Sequence, residues 1–172
     1  HSGDATLIYP VEDIYSETSL QLKNISKKIV KALHLNGPIN IQFIVNKDRI
    51  HVIECNARAS RSFPFISKVL DFNLAKFALK AMTDISAPEF VKNKKTPPVI
   101  GVKAAMFSFN RLEGVDPILG VEMLSTGEVG CVGTFFPEVY LRALASTGIR
   151  APKKGLLFSS GSKSQKLKFI EV

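Results

Sequence analysis

The chain of 172 residues is 45% hydrophobic and 22% charged, which allows one substantial core. Its net charge is +8, and its two cysteines, Cys55 and Cys131, are too far apart in sequence to make a CxxC or zinc pattern. No run approaches the roughly 18–20 apolar residues of a membrane span. The chain opens on His1, not Met, with no visible signal peptide, so it reads as a cleaved product, an expression fragment or a partial sequence.

In chain order, Ala5–Tyr9 reads as a strand that Pro10 ends. Ser16 is a candidate N-cap with Glu17 in the first turn. Leu22, Ile25, Ile29 and Leu33 then fall at helical spacing, with Lys23, Lys27, Lys28 and Lys31 outside, so the pattern predicts an amphipathic helix of about 17 residues. Asn36-Gly37-Pro38 stops it, and His34 reads as a cap or surface residue. Two β-branched runs, Ile39–Val45 and Ile50–Cys55, flank a polar turn and predict an antiparallel hairpin. Ser62 opens a helix or turn in which Phe63 and Phe65 pack beneath the hairpin's end. Leu74–Met82 reads as a buried helix. A polar, Pro-rich surface loop covers 83–98, a strand 99–109, and a turn-rich loop 110–120. Extended structure resumes at Gly127–Gly130, and Phe136–Ser146 is a helix with Pro137 at its start. Residues 153–172 change character: Leu156–Phe158 reads as a short apolar strand, a Ser/Gly/Lys loop follows, and Lys166–Val172 opens a helix.

The basic excess raises the question of nucleic acid. It is spread along 19–34, 92–95 and 150–168, and no helix-turn-helix, zinc-finger or RNP signature accompanies it. Anionic small molecules account for it as well. There is no P-loop, and the three histidines support no Ser/His/Asp arrangement. His51 should project opposite to Glu54, and Cys55 should sit buried under the hairpin.

The chemistry concentrates at the end of the hairpin. Residues two apart in a strand share a face, so Glu54 and Asn56 project together. If the loop is Lys47-Asp48-Arg49, three residues long, Gln42 lies opposite Glu54 on that face. An even loop without a bulge would turn Gln42 to the other side. One carboxylate and two amide carbonyls suit a hard cation such as Mg²⁺ or Mn²⁺, with water or phosphate oxygens completing the shell. Arg58 and Arg61 follow as cationic forks suited to phosphate or carboxylate. A solvated sheet face would carry the same residue types.

The hairpin ending in Glu54-Cys55-Asn56-Ala57-Arg58 resembles the metal-binding hairpin of ATP-grasp enzymes. The longer string 54–65, ECNARASRSFPF, is similar to the large subunit of carbamoyl-phosphate synthetase. So are HSGD at 1–4, MFSFNR at 106–111, VDPILG at 115–120 and EMLSTGEV at 122–129, in the same order.

The resemblance implies an α+β fold, the C-terminal part of an ATP-grasp domain with an antiparallel sheet and packed helices. Residues 1–150 would belong to the second, carbamoyl phosphate-forming half. Residues 151–172 would begin a methylglyoxal-synthase-like regulatory domain. Gln42, Glu54 and Asn56 match metal ligands. Gln42, Glu54, His1 and Ser2 match ATP-site positions. Arg58 and Arg61 match arginines that hold the acyl substrate and transferring phosphoryl group. The implied activity is ATP-dependent phosphorylation of carbamate. Mg²⁺ or Mn²⁺ would be required, with K⁺ as a further candidate ion. The implied partners are the remainder of the synthetase and a glutaminase subunit or domain, with no nucleic acid and no membrane. The wording around Cys55 and Ser60-Arg61-Ser62 resembles eukaryotic members, which implies a cytoplasmic pyrimidine enzyme, with a mitochondrial ammonia-using relative as the variant. The chain alone is expected to be inactive. Competing readings are another ATP-grasp ligase or carboxylase, and a non-catalytic basic binding module.

Overall fold

The structure, a computed structural model, describes residues 2–11, 16–47, 49–83, 99–155, 157 and 161–170. A three-stranded antiparallel sheet is ordered β1 (Leu7–Tyr9), β4 (Ile100–Phe107), β5 (Ser125–Gly133). A separate hairpin pairs β2 (Asn40–Asn46) with β3 (Arg49–Asn56). The helices are α1 (Ser16–Ala32), α2 (Ser62–Val69), α3 (Leu74–Met82), α4 (Phe136–Ser146) and α5 (Lys163–Ile170). Short 3₁₀ turns cover Ser2–Asp4 and Ser108–Asn110.

Strand β4 organises the core, because both of its faces are covered. Val102 and Ala104 are buried against Val139 and Ala143 of α4. Full burial of a Val side chain stabilises by about 1.5–3 kcal/mol, so this seam is a main tie between α4 and the sheet. The opposite face carries Gly101, Lys103 and Ala105, all buried, and receives α2. Phe65 and Val69, one helical turn apart, are the buried residues of α2. They reach the backbone because the sheet is glycine at the contact. A Cβ at Gly101 would lie 2.5 Å from Val69 Cγ2 and 2.8 Å from Phe65 Cζ, and one at Gly130 would lie 2.9 Å from Phe65 Cδ2. Phe65 therefore packs on the main sheet, while Phe63 is half-buried.

Several expectations are refined. The helix from Ser16 is 17 residues long with its lysines exposed, but the cap expected of Ser16 falls outside the described side chains. His34, exposed at φ 49°, lies past the helix end, where its N–H bonds the Lys31 carbonyl at 3.3 Å. Helix α3 has the expected bounds and is capped by Asn73, whose side chain accepts from the Lys76 N–H at 2.8 Å. It is not a buried helix: only Ala78 is buried, with Leu79 and Met82 half-exposed or more. Strand β1 starts at Leu7 and β5 already at Ser125, because pairing with β4 extends β5 beyond its apolar stretch. The strand expected at 156–158 and the loop at 84–98 lie outside the described residues, apart from Leu157, which is exposed. The final helix begins earlier than expected, at Lys163. Among the described residues, no helix is long and apolar enough to cross a membrane.

Candidate functional site

The hairpin places Gln42 opposite Glu54 and Asn40 opposite Asn56. The loop is the even one of the two that the sequence allows, and a bulge accompanies it. Asn46 pairs with Arg49, so the ladder closes over two residues, with Lys47 at φ 53°. A register shift between Gln42 and Phe43 then leaves Ile53 as the extra residue, since Phe43 pairs with Val52. The bulge restores the pairing that an even loop alone would have lost. It also reverses parity beyond it. His51 pairs with Ile44 and so stands on the Gln42 face, not opposite to Glu54 as the sequence suggests. Cys55 is half-buried rather than buried.

On that face, Gln42 Nε2 donates to Glu54 Oε1 at 2.6 Å and Asn56 Nδ2 donates to the same oxygen at 3.0 Å. Two amides and one carboxylate thus converge on one point. Amide nitrogen and oxygen exchange places by a half-turn of the terminal torsion. The same three side chains can therefore present three oxygens to a hard cation. Among the described residues no three His, Cys, Asp or Glu side chains gather elsewhere as a metal cluster.

These groups line a cavity of about 360 Å³ that Arg58, Arg61, Lys103 and Glu128 also line. Arg61 is held from β5. Its Nη2 donates to Ser125 Oγ at 2.9 Å and approaches Met123 Sδ at 3.2 Å, and its Nε lies 4.0 Å from Glu128 Oε2. Arg58 is exposed, its Nη1 donating to the Ala59 carbonyl at 3.1 Å. Lys103 is buried, with Nζ 3.1 Å from Glu128 Oε2. It sits on the α2 face of β4, so burial and cavity access coincide.

Asn40, Lys103, Ser125 and Glu128 were not anticipated as site residues. A lysine inside the apolar run Val102–Met106 was the one available signal, since a strand flanked by Val and Ala seldom buries an unpaired ammonium. Of the residues expected at the nucleotide, His1 lies outside the described residues and the side chain of Ser2 is not described. Gly3 lines the cavity. Asp4 ties this segment to β5: its Oδ1 accepts from the Ser125 N–H at 2.9 Å and its Oδ2 from the Leu124 N–H at 3.1 Å. Desolvation opposes the charge of Asp4, but hydrogen bonds from Leu124 and Ser125 outweigh it, so its carboxyl sits below the usual aspartate range.

Residues 1–89 match the family described as "Carbamoyl-phosphate synthase L chain, ATP binding domain". The chain belongs to this carbamoyl-phosphate synthase family. It is 49% identical over 170 residues to "Multifunctional protein pyrABCN" of Emericella nidulans, covering 99% of this chain and 8% of that protein. It is 48% identical over 170 residues to "Multifunctional protein pyr-3" of Neurospora crassa, covering 99% and 9%. To "Carbamoyl-phosphate synthase [ammonia], mitochondrial" of Aquarana catesbeiana it is 44% identical over 162 residues, covering 91% and 11%. The chain thus spans about a tenth of the length of these relatives.

Among solved structures, the urea amidolyase of K. lactis superposes with a TM-score of 0.61 at 15% identity, over 81% of this chain and 10% of that one. N5-carboxyaminoimidazole ribonucleotide synthetase from Thermotoga maritima gives 0.60 at 16%, over 83% and 44%. At these identities the likeness speaks to fold. The fold is ATP-grasp, mixed α and β with antiparallel sheets and packed helices, as the resemblance implies. The strand expected to open a methylglyoxal-synthase-like domain, 156–158, falls outside the described residues apart from Leu157.

Proposed function

We propose that this chain forms part of the carbamate-phosphorylating site of a carbamoyl-phosphate synthase, acting within a longer polypeptide. In the proposed reaction a carbamate oxygen attacks the γ-phosphorus of ATP. A new P–O bond forms, the bond to the bridging β,γ oxygen breaks, and ADP leaves. The observation that carries the reading is the shared cavity. Gln42, Glu54 and Asn56 meet there on one side, and Arg61 is braced on the other, in a chain of this family.

Gln42, Glu54 and Asn56 are the proposed holders of Mg²⁺ or Mn²⁺, with K⁺ a further candidate ion in the full enzyme. A bound divalent ion would supply charge neutralisation for the phosphate oxygens and fix their geometry. Gln42 and Glu54 would face the nucleotide through that site, with His1 and Ser2 beside it. Arg61, and Arg58 near the cavity rim, would hold the acyl substrate and stabilise charge on the phosphoryl group in flight. Phosphoryl transfer depends mainly on such positioning and electrostatics, so the chain needs no nucleophile of its own. Buried Lys103 adds positive charge on the anion side, its pairing with Glu128 keeping the net field moderate.

Residues 1–150 are proposed as the ATP-grasp part and 151–172 as the start of a regulatory domain. The remainder of the synthase, with a glutaminase subunit or domain, would supply the missing walls and the nitrogen. A cytoplasmic setting is proposed from the pyrimidine-type relatives. Another ATP-grasp ligase is disfavoured, because the match at 49% identity extends over 99% of the chain and so past the hairpin to 106–129.

The deciding experiment is ATP synthesis from carbamoyl phosphate and ADP by the full polypeptide carrying Arg61→Ala. A fall of about 10²–10³-fold is expected, the scale of a lost transition-state donor. An unchanged rate would refute the role given to Arg61. Turnover by the 172-residue chain alone would contradict the proposal that it needs the rest.

A further inference from the structure

One hydrogen-bond chain joins the opening segment to the arginine of the cavity. Asp4 receives two consecutive backbone N–H groups, those of Leu124 and Ser125. The Ser125 hydroxyl in turn donates to the Gly3 carbonyl at 3.3 Å and accepts from Arg61 Nη2 at 2.9 Å. A hydroxyl has one proton and two lone pairs, so both bonds form at once. The polarity is fixed. The Gly3 carbonyl can only accept and the guanidinium can only donate, which leaves Ser125 one orientation.

The packing is equally specific. A Cβ at Gly3 would lie 2.8 Å from Arg61 Nη2 and 2.5 Å from Met123 Sδ. The guanidinium therefore passes directly over the backbone of the segment. Arg61 starts from the N-cap of α2, so its root is fixed by the docking of that helix on β4. Its head is fixed by β5 and the opening turn. A free arginine side chain samples many rotamers, which must be given up when it engages a substrate. Holding it beforehand removes that cost from the chemical step.

We infer that Asp4 and Ser125 are positioning residues, which aim Arg61 and couple its aim to the segment expected to contact nucleotide. The inference rests on the functional reading of Arg61 given above. Asp4 acts through the backbone of β5, and Ser125 acts through its hydroxyl. Neither is placed on a reacting atom. Nucleotide that presses on residues 2–4 would thereby tighten the arginine that faces the transferring phosphoryl group.

The test uses the full polypeptide with Ser125→Ala, Ser125→Thr, Asp4→Asn and Arg61→Ala. Three readouts are needed: kcat for ATP synthesis from carbamoyl phosphate, equilibrium binding of ADP, and Tm. Ser125→Ala should lower kcat about tenfold or more, the scale of one hydrogen bond to a charged group, with a smaller loss of ADP affinity than Asp4→Asn and a Tm change too small to account for the lost rate. Ser125→Thr, which keeps the hydroxyl, should restore kcat. Asp4→Asn should lower kcat and weaken ADP binding together, because an amide cannot accept both N–H groups in the same geometry. Wild-type kcat in Ser125→Ala and Asp4→Asn, beside a large loss in Arg61→Ala, would overturn the inference and leave the functional reading standing. So would a kcat loss in Ser125→Ala that only tracks Tm and that Thr does not recover. Wild-type kcat in Arg61→Ala would instead bring down the functional reading, and this inference with it.

Discussion

Gln42 and Glu54 face each other across the hairpin at 2.6 Å, and they do so because Ile53 is an extra residue in β3. Without that bulge the two-residue turn would set Gln42 against Ile53 and send the amide and the carboxylate to opposite surfaces. A local irregularity therefore builds the proposed metal-donor set. Bulges recur beside functional sites for this reason, since they re-aim one side chain without disturbing the whole sheet.

The first prediction concerns that donor set. Glu54→Gln keeps the size and the hydrogen-bonding reach of the side chain but removes its charge. Gln42 and Asn56 then meet an amide, and no anion remains among the three. Mn²⁺ binding in the presence of ADP, followed by electron paramagnetic resonance on the full polypeptide, should weaken by more than about tenfold, because even outer-shell losses reach 10–100-fold. Unaltered Mn²⁺ affinity would show that the three side chains hydrogen-bond only one another.

The second concerns Lys103. Its side chain is 5% exposed and that of Glu128 is 16% exposed. Lys103→Met removes one partner and leaves a nearly buried carboxylate with only Arg61, at 4.0 Å, for compensation. Breaking a buried pair in this way destabilises by about 3–5 kcal/mol, and the partial exposure of Glu128 places the expectation at the low end. Lys103→Met with Glu128→Leu should recover much of the loss, because an apolar pair no longer needs solvating. Thermal unfolding of both variants checks this. Equal Tm values for the single and double variants would show that the charge pairing contributes little.

How much of this was legible in the sequence follows from range. Helix α1 has the length, and α3 and α4 the bounds, expected from local spacing and, for α4, from Pro137, since periodicity and helix starts are local properties. The hairpin and its Glu54–Asn56 pair were equally local. The bulge was not, because the residue types around Ile53 are those of an ordinary strand. Nor could any spacing tell that Ser125 and Glu128, more than sixty residues beyond Arg61, brace it. That contact exists because α2 docks across glycines at 101 and 130, and a glycine advertises room without naming what fills it. The same omission misassigned His51. Its face is set by the bulge, not by counting in twos.

The third prediction tests that docking. Gly101→Ala introduces a Cβ 2.5 Å from Val69 Cγ2 and 2.8 Å from Phe65 Cζ. The sheet backbone cannot retreat, since β4 is paired on both sides, so α2 must shift. Overpacking of this kind costs about 1–3 kcal/mol. Because Arg61 is the N-cap of α2, the rate of the ATP-forming reaction should fall along with Tm. Adding Val69→Ala makes room for the new methyl and should return part of both. A rate that stays at the wild-type value while Tm drops would show that Arg61 is placed from β5 alone.

The fourth prediction is a pH dependence set by Asp4. Partial desolvation resists its ionisation, but the backbone N–H groups of Leu124 and Ser125 prevail and lower its pKa in the folded chain. A group depressed on folding adds stability above its unfolded value, about 3.9 for aspartate. That contribution is fully present at neutral pH and fades as pH falls below the unfolded value and through the folded one. Protonation takes away the charge that draws two N–H groups to one carboxyl. Asp4→Asn lacks the titration, so its stability should run parallel to that of the wild type at neutral pH, and the gap between them should shrink only as the solution becomes acidic. Acid unfolding of the two proteins compared at matched ionic strength measures this. A gap that stays constant from neutral pH down through pH 3 would mean that the clamp between the opening turn and β5 draws nothing from the charge of Asp4.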